Sequence, residues 1–353
     1  MRTSLVLAFL GSAVAAGAAL SQNDPPPMPD QDLRDLVEGL FEPIPLAAPD
    51  LPGVSQSDAQ VDLGRMLYFD RRLSESHNIS CDSCHSLATG GVDLQATSIG
   101  HRWQQGPRNA PTVLNSVFNT AQFWDGRAAD LVEQAGGPLV NPIEMGTTEE
   151  HAVEMLEAIP GYAEPFARAY PEHDDPIDFE NLRQAIAAYE ATLITPNAPF
   201  DRWLRGEDAA MDAGQKEGLR LFVESGCSGC HGGVNLGGQM YAPFGVVERP
   251  GAEFLPPDDR GRFEVTQTVS DEYVFKVPTL RNIELTPPYF HSGKSWDLRQ
   301  AVAVMGTSQL GVELQEGEID AITAFMRALT RDQPDASLPL LPPSVVGTPR
   351  PQP

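Results

Sequence analysis

Two copies of the pattern C-x-x-C-H constrain this chain more than any other feature: Cys81-Asp82-Ser83-Cys84-His85 and Cys227-Ser228-Gly229-Cys230-His231. Thiols at this spacing can add to the two vinyl groups of a porphyrin, and the adjacent imidazole then reaches the iron. The chain has 4 cysteines in all, so none remains for another purpose. Three other chemistries use C-x-x-C: a zinc knuckle, a thioredoxin-like dithiol and a structural disulfide. Zinc does not require histidine directly after both pairs, and no βαβ pattern surrounds either one. The reading that survives is two covalently bound c-type haems. Cys81, Cys84, Cys227 and Cys230 are the attachment points, with His85 and His231 as proximal ligands.

At 353 residues the chain is long enough for two domains, each with its own core. Arg2, an apolar run from Leu5 to Leu20 and the small residues Ala16-Gly17-Ala18-Ala19 read as a secretory signal peptide over 1–20. The run is too short and alanine-rich for a membrane anchor, and no later stretch reaches spanning length. Export agrees with covalent haem, which is assembled outside the bacterial cytoplasm, so the periplasm is the expected location. The net charge of −25, from 24 basic and 49 acidic side chains, argues against nucleic acid and anionic membranes as partners. It is compatible with steering a basic partner and equally with plain solubility.

The expected fold class is mainly α, with two cytochrome c-like domains and long loops packed around the haems. A linker over 21–32 precedes a helical stretch from Asp32 to Leu40. Gly64-Arg65-Met66-Leu67-Tyr68-Phe69 leads into the first motif, and Gly218-Leu219-Arg220-Leu221-Phe222 into the second, a weak internal repeat. Apolar residues at helical spacing predict helices over Phe179 to Ile194 and Glu316 to Thr330, the latter closing a cytochrome c domain. The expected boundaries are 33–197 and 198–331, with a junction near Thr195 to Pro199. A proline-rich, poorly ordered tail is expected over 332–353.

The distal ligands determine how the two haems differ, because a thioether raises a reduction potential and a second imidazole lowers it. For the second haem, Met240 is too close to its motif and Met326 lies in an apolar helix stripe. Met305 is best placed on spacing, with His291 as the alternative. For the first, His77 is too close, and His151 and His173 lie in acidic stretches. His101, in a Gly-flanked loop, could ligate reversibly or only hydrogen-bond a propionate.

The runs Gly100-His101-Arg102-Trp103-Gln104-Gln105-Gly106-Pro107-Arg108-Asn109-Ala110-Pro111-Thr112 and Ala121-Gln122-Phe123-Trp124-Asp125-Gly126-Arg127 resemble the bacterial di-haem cytochrome c peroxidases. So do Pro288-Tyr289-Phe290-His291-Ser292-Gly293-Lys294 and Met305-Gly306, and the likeness extends from Leu33 to Thr330. The resemblance implies a high-potential, electron-accepting second haem ligated by His231 and Met305. It implies a low-potential peroxidatic first haem with His101 as a removable distal ligand. Glu144 matches the family's acid–base carboxylate, Gln134 its pocket amide and Trp124 the tryptophan between the haems. Asn109, Thr286 and Pro288 match positions that hold a calcium ion.

The activity so implied is reduction of hydrogen peroxide to water, with electrons from a small cytochrome c or a cupredoxin, in a protein that forms a homodimer. Reduction at the second haem is then expected to release His101 and open the first. By residue type alone, Glu144 could equally be a solvated loop acid and Trp124 core packing. Three other functions fit two haem motifs, one of them a haem-based sensor, for which the sequence shows no output domain. A di-haem electron carrier would keep both irons saturated. A di-haem enzyme that oxidises a partner protein carries tyrosine in place of Met305.

Overall fold

A computed structural model describes residues 28–334 and 336–352. The expected signal peptide therefore lies outside the described residues. In chain order the α-helices are α1 (Asp30–Val37), α2 (Asp58–Phe69), α3 (Cys81–Cys84), α4 (Leu131–Val140), α5 (Glu149–Glu157) and α6 (Ala163–Ala169). The second half carries α7 (Phe179–Ala191), α8 (Pro199–Leu204), α9 (Ala213–Glu224), α10 (Phe263–Thr266), α11 (Leu298–Met305) and α12 (Glu316–Arg327). Two three-residue strands, β1 (Tyr241–Pro243) and β2 (Val274–Lys276), pair antiparallel with Ala242 opposite Phe275. Long loops join these elements, as expected for chain that packs around haem.

The helices begin where side chains can satisfy their free N–H groups. Ser57 caps α2 through Gln60 N, Asp178 caps α7 through Asn181 N, and Asp212 and Gln215 form a reciprocal box at α9. In each half the helix leading into C-x-x-C-H crosses the helix that closes the half, α2 over α7 and α9 over α12. Both crossings depend on a glycine. A Cβ on Gly64 would overlap the Ala185 carbonyl and lie 2.9 Å from Tyr189 Cβ; on Gly218 it would overlap the Ala321 carbonyl and lie 2.9 Å from Phe325 Cβ. The weak repeat seen in sequence is thus one helix crossing built twice.

Two cores result. Leu63, Leu67, Met155, Phe166, Leu182 and Ile186 centre the first, and Phe200, Trp203, Leu219, Phe222, Ile322 and Phe325 the second. The expected boundary at 33 is corrected at this point. Leu33, Val37 and Phe41 are buried in the second core, and Asp30 accepts hydrogen bonds from Trp203 Nε1 (2.7 Å) and Lys216 Nζ (2.9 Å). Helix α1 therefore belongs to the C-terminal half. Its apolar stripe covers α8 and α9, and the chain enters the N-terminal half only afterwards.

The tail is corrected as well. Its described residues run extended over the first half. Arg65 bonds Ser337, and Arg72 Nη1 donates to Pro342 O at 2.8 Å. Gln352 N donates to Glu75 O at 2.8 Å. A proline-rich segment forms no core of its own, but its free carbonyls accept hydrogen bonds from arginines that the first half presents.

Candidate active site

Two cavities open beside the two C-x-x-C-H motifs. In the first, Cys81 to Cys84 form the single turn α3, with Ser80 N donating to Ser83 Oγ at 2.9 Å. His85 follows as the helix cap, and Tyr68 Oη donates to its carbonyl at 2.6 Å. The ring's Nδ1 lies 2.9 Å from Pro111 O. A carbonyl can only accept, so Nδ1 carries the proton and Nε2 keeps its lone pair. Burial also lowers the pKa of His85, which keeps the imidazole neutral. Burial pushes the Cys84 thiol up to about 11, and the Cys81 thiol is raised further. Neutral thiols beside an oriented neutral imidazole suit thioether attachment and iron ligation. No group of three His, Cys, Asp or Glu converges as a metal cage among the described residues, so each motif histidine stands alone.

Across the cavity, Glu144 sits in the turn from Asn141 to Gly146, its backbone N–H bonded to Asn141 O at 3.0 Å. Asn141 Nδ2 donates to its Oε1 at 2.9 Å. Burial raises the carboxyl's pKa, while Arg127 and the Asn141 bond pull it down. Gln134, on α4, lines the same space, as do Arg108, Arg127 and Asp125. His101 is not brought there. It is buried, its backbone N–H donates to Glu144 O at 2.7 Å, and its ring packs beside Gly146 with Nδ1 unpartnered. Beyond it, Arg102 and Trp103 take positive φ values of 56° and 60°, and Trp103 is 85% exposed.

The second cavity lies beside Cys227, Cys230 and His231, whose Nδ1 is 3.1 Å from Leu236 O, so this imidazole is oriented like the first. Met305, at the end of α11, lines it together with Met326 and His291. Met240 does not. Trp124 lines both cavities, held by an Nε1–H bond to Asn109 O at 2.8 Å, and meets His291 edge-on at 6.1 Å between ring centroids. Asn109, Thr286 and Pro288 gather at the border of the second cavity. Asn109 Nδ2 donates to Gln95 O at 2.8 Å, so its Oδ1 is free to meet a hard cation.

Three functional features went unread in the sequence. Pro111-Thr112-Val113-Leu114-Asn115 and Pro278-Thr279-Leu280-Arg281-Asn282 are equivalent turns. In both, the threonine hydroxyl accepts from the backbone two residues on, and the asparagine takes positive φ, 61° and 59°. Phe123-Trp124-Asp125-Gly126-Arg127 and Phe290-His291-Ser292-Gly293-Lys294 form a second such pair, with Phe123 at φ 66° and Phe290 at φ 69°. Trp124 and His291 are therefore counterparts that meet between the halves. The third feature is Glu190, buried at the first cavity. The P-T-x-x-N and F-x-x-G spacings were the available signal for the two repeats.

Comparison with known proteins agrees with this architecture. Residues 58–209 match the family described as di-haem cytochrome c peroxidase, and residues 215–330 match cytochrome c. The cytochrome c551 peroxidase of Pseudomonas aeruginosa is 53% identical over 319 residues, covering 90% of this chain and 92% of its own. That of Nitrosomonas europaea is 45% identical over 357 residues, covering 100% and 98%. A crystal structure of a MauG-like protein associated with microbial copper homeostasis superposes with a TM-score of 0.71 at 27% identity, covering 89% of this chain and 96% of that one. With relatives this similar along the whole of its two halves, the chain belongs to the di-haem cytochrome c peroxidase family.

Proposed function

We propose that this protein reduces hydrogen peroxide in the periplasm, H2O2 plus two electrons and two protons giving two waters. The observation that carries the reading is the asymmetry of the cavities. The first pairs an oriented histidine with a buried, proton-competent carboxyl, whereas the second is lined mainly by apolar groups. Cys81, Cys84 and His85 would hold the first haem, whose iron would supply the redox chemistry. The remaining work belongs to the chain. Glu144, with its pKa raised by burial, takes a proton from one peroxide oxygen and returns it to the leaving one. Asn141 fixes the carboxyl's direction, and Gln134 donates its amide to the substrate. Arg127 limits how far the pKa rises, so the carboxylate remains accessible as a base.

His231 and Met305 would hold the second haem, which would supply the entry point for electrons from a small cytochrome c or a cupredoxin. Trp124, anchored on Asn109 between the cavities, is the bridge. Asn109, Thr286 and Pro288 would hold a calcium ion at that border. His101 would be the reversible ligand of the first haem. Its backbone N–H is bonded to the Glu144 carbonyl and its ring packs beside Gly146, so ligation would require that ring to turn towards the cavity that Gly100 lines. Homodimer formation is part of the same reading.

The test is Glu144→Gln. Peroxide turnover is expected to fall by about 10²–10⁴-fold with the absorption spectra of both haems unchanged. Turnover within a few-fold of the parent enzyme would remove Glu144 from the chemistry.

A further inference from the structure

Lys276 is the sole Lys, Arg, Asp or Glu among the described residues lining the second cavity. It closes β2, is 6% exposed, and its backbone N–H donates to Trp124 O at 2.7 Å. Its ammonium makes no ion pair or side-chain hydrogen bond among the described residues, and burial alone lowers its pKa to about 8. This is an unusual arrangement in a chain with 49 acidic side chains. A buried cation is tolerated when an anion meets it, and unpaired lysines are almost never fully buried. The chain provides that anion for other buried cations: Arg281 meets Asp201, and Arg108 meets Asp125 and Asp259. At Lys276 it provides none, so the partner must arrive with whatever fills the cavity.

We propose that Lys276 is the binding residue for a propionate carboxylate of the second haem, and that its charge keeps that iron easier to reduce than the first. The inference rests on the haem assignment above and adds a residue to it. A fixed positive charge in a water-poor cavity favours the electron-rich form of the iron. Through its N–H bond to Trp124, the same residue ties this charge to the bridge between the cavities. In the first cavity the lining arginines are already paired, Arg108 with Asp125 and Asp259 and Arg127 with Asp125.

The test is spectroelectrochemical titration of the holoenzymes Lys276→Gln and Lys276→Arg. Lys276→Gln is expected to shift the second haem's reduction equilibrium about tenfold towards the oxidised form, 59 mV for a one-electron couple, with the first haem unmoved. Lys276→Arg, which keeps the charge, is expected to shift it far less. An unchanged potential in Lys276→Gln, or equal shifts in both variants, overturns the proposal. Should Lys276→Gln fail to mature, a crystal structure of the parent holoenzyme decides. Nζ within about 4 Å of a propionate oxygen upholds the inference, and a longer separation overturns it. Neither readout is peroxide turnover, so a working peroxidase with an indifferent Lys276 would remove this inference and leave the proposed function intact.

Discussion

Glu190 shows how one side chain can tie stability to pH in this fold. It lies on α7, is 4% exposed, lines the first cavity, and its Oε2 has no hydrogen-bond partner. Burial raises its pKa from 4.5 to about 8. Between those values the unfolded chain releases a proton that the folded chain keeps. The native state then binds more protons, so stability falls as pH rises through this window and levels off above it. Glu190→Gln removes the ionisation and preserves the shape. The variant is expected to match the parent near pH 4.5 and to exceed it by a few kcal/mol at pH 8, in urea denaturation followed by circular dichroism. Parallel stability–pH curves for the two proteins would show that Glu190 is not buried protonated. The residue was not legible in sequence because Leu182, Ile186, Tyr189 and Leu193 describe a helix with one apolar face. Ala185, Ala187, Ala188 and Ala191 are buried too, so α7 is enclosed on every side from Ala185 onward and its glutamate faces the first cavity instead of the outer surface.

At the scale of elements, the α2/α7 and α9/α12 crossings make the two halves copies of one design. Gly218→Ala places a methyl group against the Ala321 carbonyl, a backbone atom that cannot rotate away. The crossing must spread, and the expected cost is about 1–3 kcal/mol or more, read as a lower urea midpoint. A midpoint within error of the parent would mean that the two helices do not approach so closely. Asp201 and Arg281 add a second expectation. Both are 0% exposed, and Asp201 also accepts Ile44 N at 3.1 Å, which pins the segment after α1 to the second core. Asp201→Ala leaves the guanidinium buried without its anion, at an expected cost of about 3–5 kcal/mol by the same denaturation assay. Asp201→Ala with parent-like stability would show that the pair is dispensable. The long helices were legible because apolar periodicity reports a buried face directly; α7 and α12 each end three residues earlier than that periodicity predicts. The paired loops were not legible. Their form depends on left-handed asparagines and phenylalanines and on side-chain bonds to distant carbonyls, which leave no periodic trace. Trp124, Glu144 and Gln134 were placed through resemblance to a family; their residue types alone also fit core packing or a surface loop.

At the scale of the whole molecule, the described residues start on the second half, build the first, complete the second, and return across the first. The return stroke is the tail, and it finishes a buried polar cluster. Tyr162 Oη donates to Asp70 Oδ2 at 2.6 Å, and Arg72 Nε donates to Asp70 Oδ1 at 2.9 Å. Arg72 then donates Nη1 to Pro342 O at 2.8 Å, while Ser344 Oγ lies 3.1 Å from the same nitrogen. Gly161 packs beneath Pro342, and Thr348 Oγ1 reaches Ala158 O at 3.4 Å. A hydrogen bond to a charged donor contributes about 1.5–3 kcal/mol, and water replaces part of it once the tail is gone. Deleting 332–353 should therefore loosen the first half by about 1–3 kcal/mol and leave the second core unaltered. Hydrogen exchange read by mass spectrometry is the measurement. Protection is expected to drop in α2 and around Ala158 and Gly161, with α9 and α12 as protected as in the full chain. If protection falls evenly across both halves, or nowhere, the tail does not strap the first half down and its contacts contribute nothing to stability.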